Sequence, residues 1–329
     1  MKKILTIFLS GLIIFSFVAC GKSPIKPSDN KSGTIIKIAS MKGPTSIGLA
    51  KLYSDSDEGT TYNKYDYSIY GTADEITGGL LKGEIDVAAV PANLASVLFN
   101  KTEGNILIAG INTLGVTYIL SRDSSVQSIS DLKGKTIYAT GQGTTPEYTL
   151  RHILTSNGID PDNDMDIVYY KEGAEVVANA STKDNAILML PQPYATIATN
   201  QISDCQIVID LNKEWEAIND SGIITGVIVV RKEFLENNND NFDKFLDEYL
   251  ASTEFANSNV DDCANLLEKY DIFKAAIAKK AIPYCNVTLI TGDAMKESLL
   301  PYLQILKDAN PSSVGGTLPD DTGFYISNQ

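Results

Sequence analysis

The chain matches itself at an offset of one hundred residues, and this repeat limits its fold more than any other feature. "IIKIASMKGPTS" from Ile35 lies against "KTIYATGQGTTPEYTL" from Lys135, pairing Ala39 with Ala139, Gly43 with Gly143 and Thr45 with Thr145. With no gap, Asp66 then meets Asp166, Tyr70 meets Tyr170, Glu75 meets Glu175, Pro91 meets Pro191 and Ala95 meets Ala195. The identities are sparse, and the order of elements carries more weight. Each copy reads strand, polar turn, helix, second strand ("YDYSIY", "MDIVYY"), a helix opening near the shared glutamate, and a short apolar strand ending at proline ("IDVAAVP", "AILMLP"). Strands alternating with helices imply parallel pairing and right-handed crossovers, so each copy predicts one βαβαβ sheet with helices on both faces. Some three hundred residues at 43% hydrophobic content suffice for two such α/β lobes.

In open α/β sheets a ligand sits beyond the carboxyl ends of the strands, beside the helix N-termini. Both copies therefore present the same two loops to a shared cleft. From the first these are Ser40 to Thr45 (Ser40, Met41, Lys42, Gly43, Pro44, Thr45) and Pro91 to Asn93. From the second they are Thr140 to Thr145, with Gly143, Thr144 and Thr145 as candidates, and Pro191 to Tyr194, with Gln192 and Tyr194. Gly43 permits close backbone approach, Pro44 suits a first helical position, and Thr45 and Ser46 place hydroxyls where a helix start leaves N–H groups unpaired. Such a terminus attracts anions and polar acceptors. The glycine spacing of a dinucleotide or P-loop fingerprint is missing, so no nucleotide cofactor is expected.

Two segments join the lobes. "GVTYILSRDSSVQSISDLKGK" leads into the second copy, with Val116 to Ser121 expected to cross between lobes, and "SGIITGVIVVRKEF" leads back. Apolar residues three or four apart then mark helices in "NFDKFLDEYLASTEFANS", "VDDCANLLEKY" and "DAMKESLLPYLQILKDA", expected to pack on the first lobe. The resulting plan is a first lobe over 34–121, a second over 122–222, and a return strand with C-terminal helices over 223–329 that complete the first.

The N-terminus has its own logic. "MKKILTIFLSGLIIFSFVAC" has two lysines, an apolar run from Ile4 to Val18 that is short for a membrane span, and Ala19 before Cys20, the layout of a secretory signal. "FVAC" resembles a bacterial lipoprotein cleavage site, with Phe17 where leucine is usual, so residues 1–19 read as a signal peptide and Cys20 as a lipidated first residue. Residues 20–33, rich in Pro, Ser and Lys, read as a flexible tether. The 27 basic and 41 acidic residues give a net charge of −14, and loss of Lys2 and Lys3 with the leader carries it to about −16. This argues against nucleic acid or an anionic membrane surface as partner, and requires any anionic ligand to be drawn by local donors. Cys205, Cys263 and Cys285 then remain, an odd number without metal-ligand spacing; they read as buried side chains, with a Cys263 to Cys285 bridge as the alternative in an oxidising compartment.

The "SMKGPT" turn, "LKGEIDVAAVPANLA", "NTLGVTYILSRDS" with Asn112 at its head, "DLKGKTIYATGQGTTPEYTLRHIL" and the C-terminal "IPYCN", "GDAMKESLLPYLQIL" and "VGGTLPDD" resemble the solute-binding lipoproteins of ABC importers. Within these the chain is similar to the nitrate, sulfonate, taurine and thiamine-precursor branch over nearly all of residues 34–322. The resemblance implies a type II periplasmic-binding-protein-like fold with a hinge between the lobes. It also implies a monomer, lipid-anchored outside the membrane, that delivers a small polar or anionic solute to a permease and its ATPase. Ser40, Thr45, Asn93, Thr144 and Thr145 match positions from which members donate hydrogen bonds, and Asn112 joins the candidates. Arg122, Arg151 and Arg231 all fall outside the candidate loops, leaving Lys42 as the nearby cation, either a ligand contact or a solvated loop lysine. Thr144 and Glu147 have capping-box spacing, so Glu147 either turns away from a bound anion or recognises a donor on the ligand. Tyr148 and Tyr194 are candidates for stacking on a planar ring. Against an enzyme stands the single histidine, His152, within a predicted helix and without a second histidine or an acidic metal cluster. A sensory domain without an importer would share the same cleft chemistry.

Overall fold

The computed structural model describes residues 33–319 and 323–326; Cys20, the leader and the tether lie outside them. The strands are β1 (Ile35–Met41), β2 (Lys64–Tyr70), β3 (Val87–Pro91), β4 (Ile106–Leu114), β5 (Thr117–Ser121), β6 (Thr136–Thr140), β7 (Asp166–Tyr170), β8 (Ile187–Pro191), β9 (Gln206–Asp210), β10 (Ile224–Arg231) and β11 (Val287–Ile290). They form two sheets, ordered β11-β4-β10-β3-β1-β2 and β7-β6-β8-β5-β9. The helices of the first half are α1 (Ala50–Asp57), α2 (Ala73–Lys82), α3 (Ala92–Lys101), α4 (Thr145–Ser156), α5 (Gly173–Ser181), α6 (Tyr194–Gln201) and α7 (Leu211–Glu216). Those of the C-terminal part are α8 (Lys232–Asn237), α9 (Asn239–Ser258), α10 (Val260–Lys269), α11 (Ala275–Ala281) and α12 (Gly292–Ala309).

The repeat is visible in space. β1, β2 and β3 pair in parallel as β2-β1-β3, and β6, β7 and β8 pair in the same way as β7-β6-β8. The shared glutamates explain themselves as helix caps. Glu75 closes a capping box with Thr72 at the start of α2, and Glu175 closes one with Glu172 at the start of α5. Central strands such as β3, "VAAVP", and β10, "ITGVIVVR", read as continuous apolar runs because helices cover both of their faces. At the sheet edge, β2 instead alternates buried and exposed residues along its first half.

The two connecting strands add antiparallel pairing to the parallel βαβαβ unit of each sheet. β5 enters the second sheet antiparallel between β8 and β9, and β10 enters the first antiparallel between β3 and β4. Each sheet is therefore completed by a strand that arrives from the other lobe. The expected boundary at 121/122 falls earlier, because Thr117 to Ser121 pairs entirely within the second sheet. The chain passes between sheets around Gly115 and Val116, and returns just before Ile224.

The C-terminal helices also differ from the expectation that they serve the first lobe alone. α9 does pack there, burying Phe242, Phe245 and Tyr249. α12 spans both lobes, since Met295, Leu299, Tyr302, Leu303 and Leu306 share one core with Leu150 and Ile153 of α4 as well as with Ile108 and Ile111 of β4. Its Tyr302 ring meets Trp215 of α7 at 5.5 Å. The Lys280 ammonium also donates to Asn200 of α6 at 2.6 Å. An apolar stripe shows that a helix is buried but not against what. Cys205, Cys263 and Cys285 are all buried and free, and burial raises the Cys205 thiol to about 11 and that of Cys263 to about 12.

The return strand is fastened by charge. Arg231 at the end of β10 pairs with Asp86 at 2.7 Å, and its Nε donates to the Ile85 carbonyl. The other Asp86 oxygen accepts from the Lys37 N–H at 3.0 Å. Asp86 is 6% exposed, so its loss leaves a largely covered guanidinium with only the exposed Glu233 as a charge partner. Asp86→Ala is expected to cost roughly 3 kcal/mol of stability, measured by urea denaturation, and Arg231→Met a similar amount, because it leaves the covered Asp86 carboxylate with the Lys37 N–H but no charge partner.

Candidate functional site

The carboxyl ends of β1 and β3 and that of β8 open toward one another around a cavity of about 440 Å3. From the first lobe it is lined by Met41, Lys42, Gly43, Pro44 and Thr45 and by Pro91 and Asn93, and from the second by Thr144, Thr145, Pro146 and Pro191. Both polar turns of the repeat thus meet at one place. The crossings complete the wall, with Val116 and Thr117 on one side and Ile223, Ile224 and Thr225 on the other. Sequence reasoning missed these, together with Pro146 and Thr149. A strand that returns antiparallel begins where its parallel neighbours end, so the first residues of β5 and β10 must stand at the ligand edge of the sheets.

Five candidates lie outside the cavity wall. The Ser40 hydroxyl is buried and accepts from Tyr53 Oη at 3.0 Å. Asn112 is buried, and its Nδ2 donates to the Thr45 carbonyl at 2.9 Å, so it positions the turn from beneath. Gly143 is in the left-handed region at φ 70°, and its N–H and carbonyl are both engaged by neighbours. Gln192 is buried, its Oε1 accepting from the Thr196 hydroxyl at 2.8 Å. The Tyr194 ring lies against Gly173, so closely that a Cβ there would meet it at 2.4 Å. Tyr148 is withdrawn as well: its hydroxyl donates to the Gly143 carbonyl at 2.8 Å and accepts from Asn310 at 2.7 Å.

Within the wall the polar groups divide by whether protein already occupies them. Thr144 Oγ1 donates to the Gly141 carbonyl at 2.6 Å, and Thr149 Oγ1 to that of Thr145 at 3.0 Å. Asn93 Nδ2 donates to the Ser313 carbonyl at 2.9 Å. The hydroxyls of Thr45, Thr117, Thr145 and Thr225 make no hydrogen bond among the described residues. Lys42 forms an ion pair with Asp271, and its ammonium holds that carboxyl below the usual range. Glu147 does turn away from the cleft. It accepts from the Gly143 N–H at 2.6 Å and from Arg151 Nε at 2.8 Å, reaching one residue further back than a capping box would.

The backbone at Gly43 is extended, at φ 170°, and a Cβ there would meet nothing within 4 Å. Close packing, by contrast, falls on Gly226 of β10. A Cβ at that position would meet Asn112 Oδ1 and Thr45 Cγ2, each at 2.5 Å. His152 lies away from the cavity, its ring 4.8 Å from that of Trp215. Among the described residues no cluster of His, Cys, Asp and Glu is arranged to hold a metal ion, and no helix is long and apolar enough to cross a membrane.

The family described as "ABC transporter, phosphonate, periplasmic substrate-binding protein" has a sequence model that matches residues 58–233, more than half of the chain. The chain belongs to this family. Members of this ABC-transporter family are extracytoplasmic substrate-binding components of transport, not a class of enzymes. Solved structures show the same fold. An ABC transporter from Parabacteroides distasonis is 23% identical, with a TM-score of 0.76 over 90% of this chain and 99% of that one. The periplasmic aliphatic sulphonate binding protein SsuA from Escherichia coli is 16% identical, with a TM-score of 0.68 over 90% and 95%. The periplasmic nitrate-binding protein NrtA from Synechocystis PCC 6803 is 14% identical, with a TM-score of 0.53 over 76% and 69%. No curated protein sequence matches this chain.

For this ABC-transporter binding protein, Gly226→Ala is expected to push Thr45 from its place and lower stability by about 1–3 kcal/mol. Thermal unfolding would register the loss, and a crystal structure of the variant would show the shift at Thr45.

Proposed function

We propose that this protein captures a small polar solute between its two lobes and hands it to a membrane permease driven by an ATPase. The supporting observation is that turns from both copies of the repeat line one cavity with unoccupied hydroxyls, Thr45 from the first lobe and Thr145 from the second. Neither lobe alone offers a full set of donors. Closure about the two crossings would bring the sets together, exclude water and strengthen each polar contact. The solute drives closure only through its preference for the closed form. Binding without catalysis is favoured because His152 packs on Trp215 and is not among the residues lining the cavity. We infer further that the protein works as a monomer, held outside the membrane by a lipid on Cys20.

Two measurements test this reading. Loss of one hydrogen bond costs on the order of 0.5–3 kcal/mol, or about two- to a hundred-fold in affinity. Thr45→Ala and Thr145→Ala are each expected to weaken binding within that range, while His152→Ala leaves it unchanged. Calorimetry with the solute retained on the purified protein, identified by mass spectrometry, reads the effect, and full affinity in both threonine variants would remove the two turns from the site. For the anchor, Cys20→Ser should release the protein from the membrane fraction; retention would make Ile4 to Val18 the anchor instead.

A further inference from the structure

The second-lobe turn at the cavity is built from residues that do not hold its shape by themselves. Gly141 and Gly143 both lie in the left-handed region, at φ 85° and 70°, with one residue between them, and glycine leaves such a backbone free to adopt other conformations. Thr144 and Thr145 follow directly and stand in the cavity wall. Their place therefore depends on what grips the turn. Glu147 grips it by the Gly143 N–H. Tyr148 grips it by the Gly143 carbonyl, to which its hydroxyl donates at 2.8 Å.

That hydroxyl is in turn held from outside the second lobe. It accepts from Asn310 Nδ2 at 2.7 Å. The orientation of the Asn310 amide is fixed, because its Oδ1 accepts from the N–H and the hydroxyl of Ser312 at 3.1 and 2.8 Å. The residues after Asn310 are fastened to α3 of the first lobe. Asn93, Ser96 and Asn100 share one face of that helix, and all three donate to this segment: Asn93 to the Ser313 carbonyl, Ser96 to that of Val314 at 2.8 Å, and Asn100 to that of Thr317 at 2.7 Å. Asn93 itself lines the cavity. A connection thus runs from a wall residue of the first lobe to the turn of the second without passing through either crossing.

We propose that Tyr148 and Asn310 are positioning residues for solute binding. Neither is among the residues lining the cavity, and together they fix, from the first lobe, where the threonines of the second lobe stand. A tyrosine hydroxyl has one proton to give. While Asn310 donates to its oxygen, that proton is directed to the Gly143 carbonyl; without the Asn310 donor the hydroxyl is free to turn, and the turn loses its outer support. Side chains in a binding site keep their geometry only when such partners lock them. This inference rests on the cleft being the solute site.

The test uses Tyr148→Phe, which keeps the ring and removes the hydroxyl, and Asn310→Asp, which keeps the acceptor for Ser312 and removes the donor to Tyr148. Hydrogen–deuterium exchange on the solute-free protein is expected to quicken by about threefold or more over residues 141–145 in each variant, while α3 stays unchanged. The double variant is expected to exchange no faster than Tyr148→Phe alone, because Asn310 acts through the hydroxyl that is gone. Calorimetry with ethanesulfonate and ethylphosphonate as probes reads the consequence: the probe that binds loses about two- to tenfold in affinity in each single variant, with no further loss in the pair. Unchanged exchange at the turn overturns the proposal whichever probe binds. A further loss in the pair overturns it as well, since Asn310 would then act without Tyr148. Thr145→Ala separates this claim from the one beneath it. A probe whose affinity survives Thr145→Ala unchanged removes the turn from the site, whereas a probe weakened by Thr145→Ala and indifferent to Tyr148→Phe keeps the cleft and overturns only the positioning role.

Discussion

The exchange of one strand between the sheets is the constraint on which the rest depends. β5 and β10 each leave one lobe to become an interior, antiparallel strand of the other, hydrogen-bonded on both sides. Neither lobe can then be completed without the chain passing through the cleft twice, and the passing residues become part of its wall. At Gly226 the contact is so close that a single methyl group would strike both Thr45 and the Asn112 side chain that holds its turn. The geometry of the candidate site is set by sheet formation, because strand pairing brings the backbone of β10 to Thr45 whether or not anything is bound.

A second connection runs around the outside. Asn310, just past the end of α12, donates to Tyr148, which donates to Gly143 in the turn of the second lobe. Three residues on, the Ser313 carbonyl accepts from Asn93 in the loop of the first lobe. One short C-terminal segment is therefore tied to the candidate loops of both lobes, directly through Asn93 and by way of Tyr148. α12 shares an apolar core with α4 and β4, so a helix that reads in sequence as ordinary packing also leads to contacts with two loops far from it in the chain.

The charge distribution follows the same division of labour. The chain is strongly acidic overall, yet the side chains nearest the cleft are paired off: Lys42 with Asp271, Glu147 with Arg151. Free threonine hydroxyls and prolines stand beside these pairs in the cavity wall.

The sequence by itself determined the repeat, and with it two α/β lobes, the identity of the loops that face each other, and the matching positions of Glu75 and Glu175 near two helix starts. Those features are local: hydrophobic period, turn chemistry and caps act over a few residues, so one copy can be read against the other. Tertiary structure alone decided which candidates line the cavity. Ser40, Asn112, Gly143, Gln192 and Tyr194 have the right residue types in the right loops, but each is spent on a protein partner. Thr117 and Thr225 carry no motif and reach the wall because strands from opposite lobes are interleaved. Which side chains meet in one wall depends on strands and turns many tens of residues apart in the chain, and no local pattern encodes that.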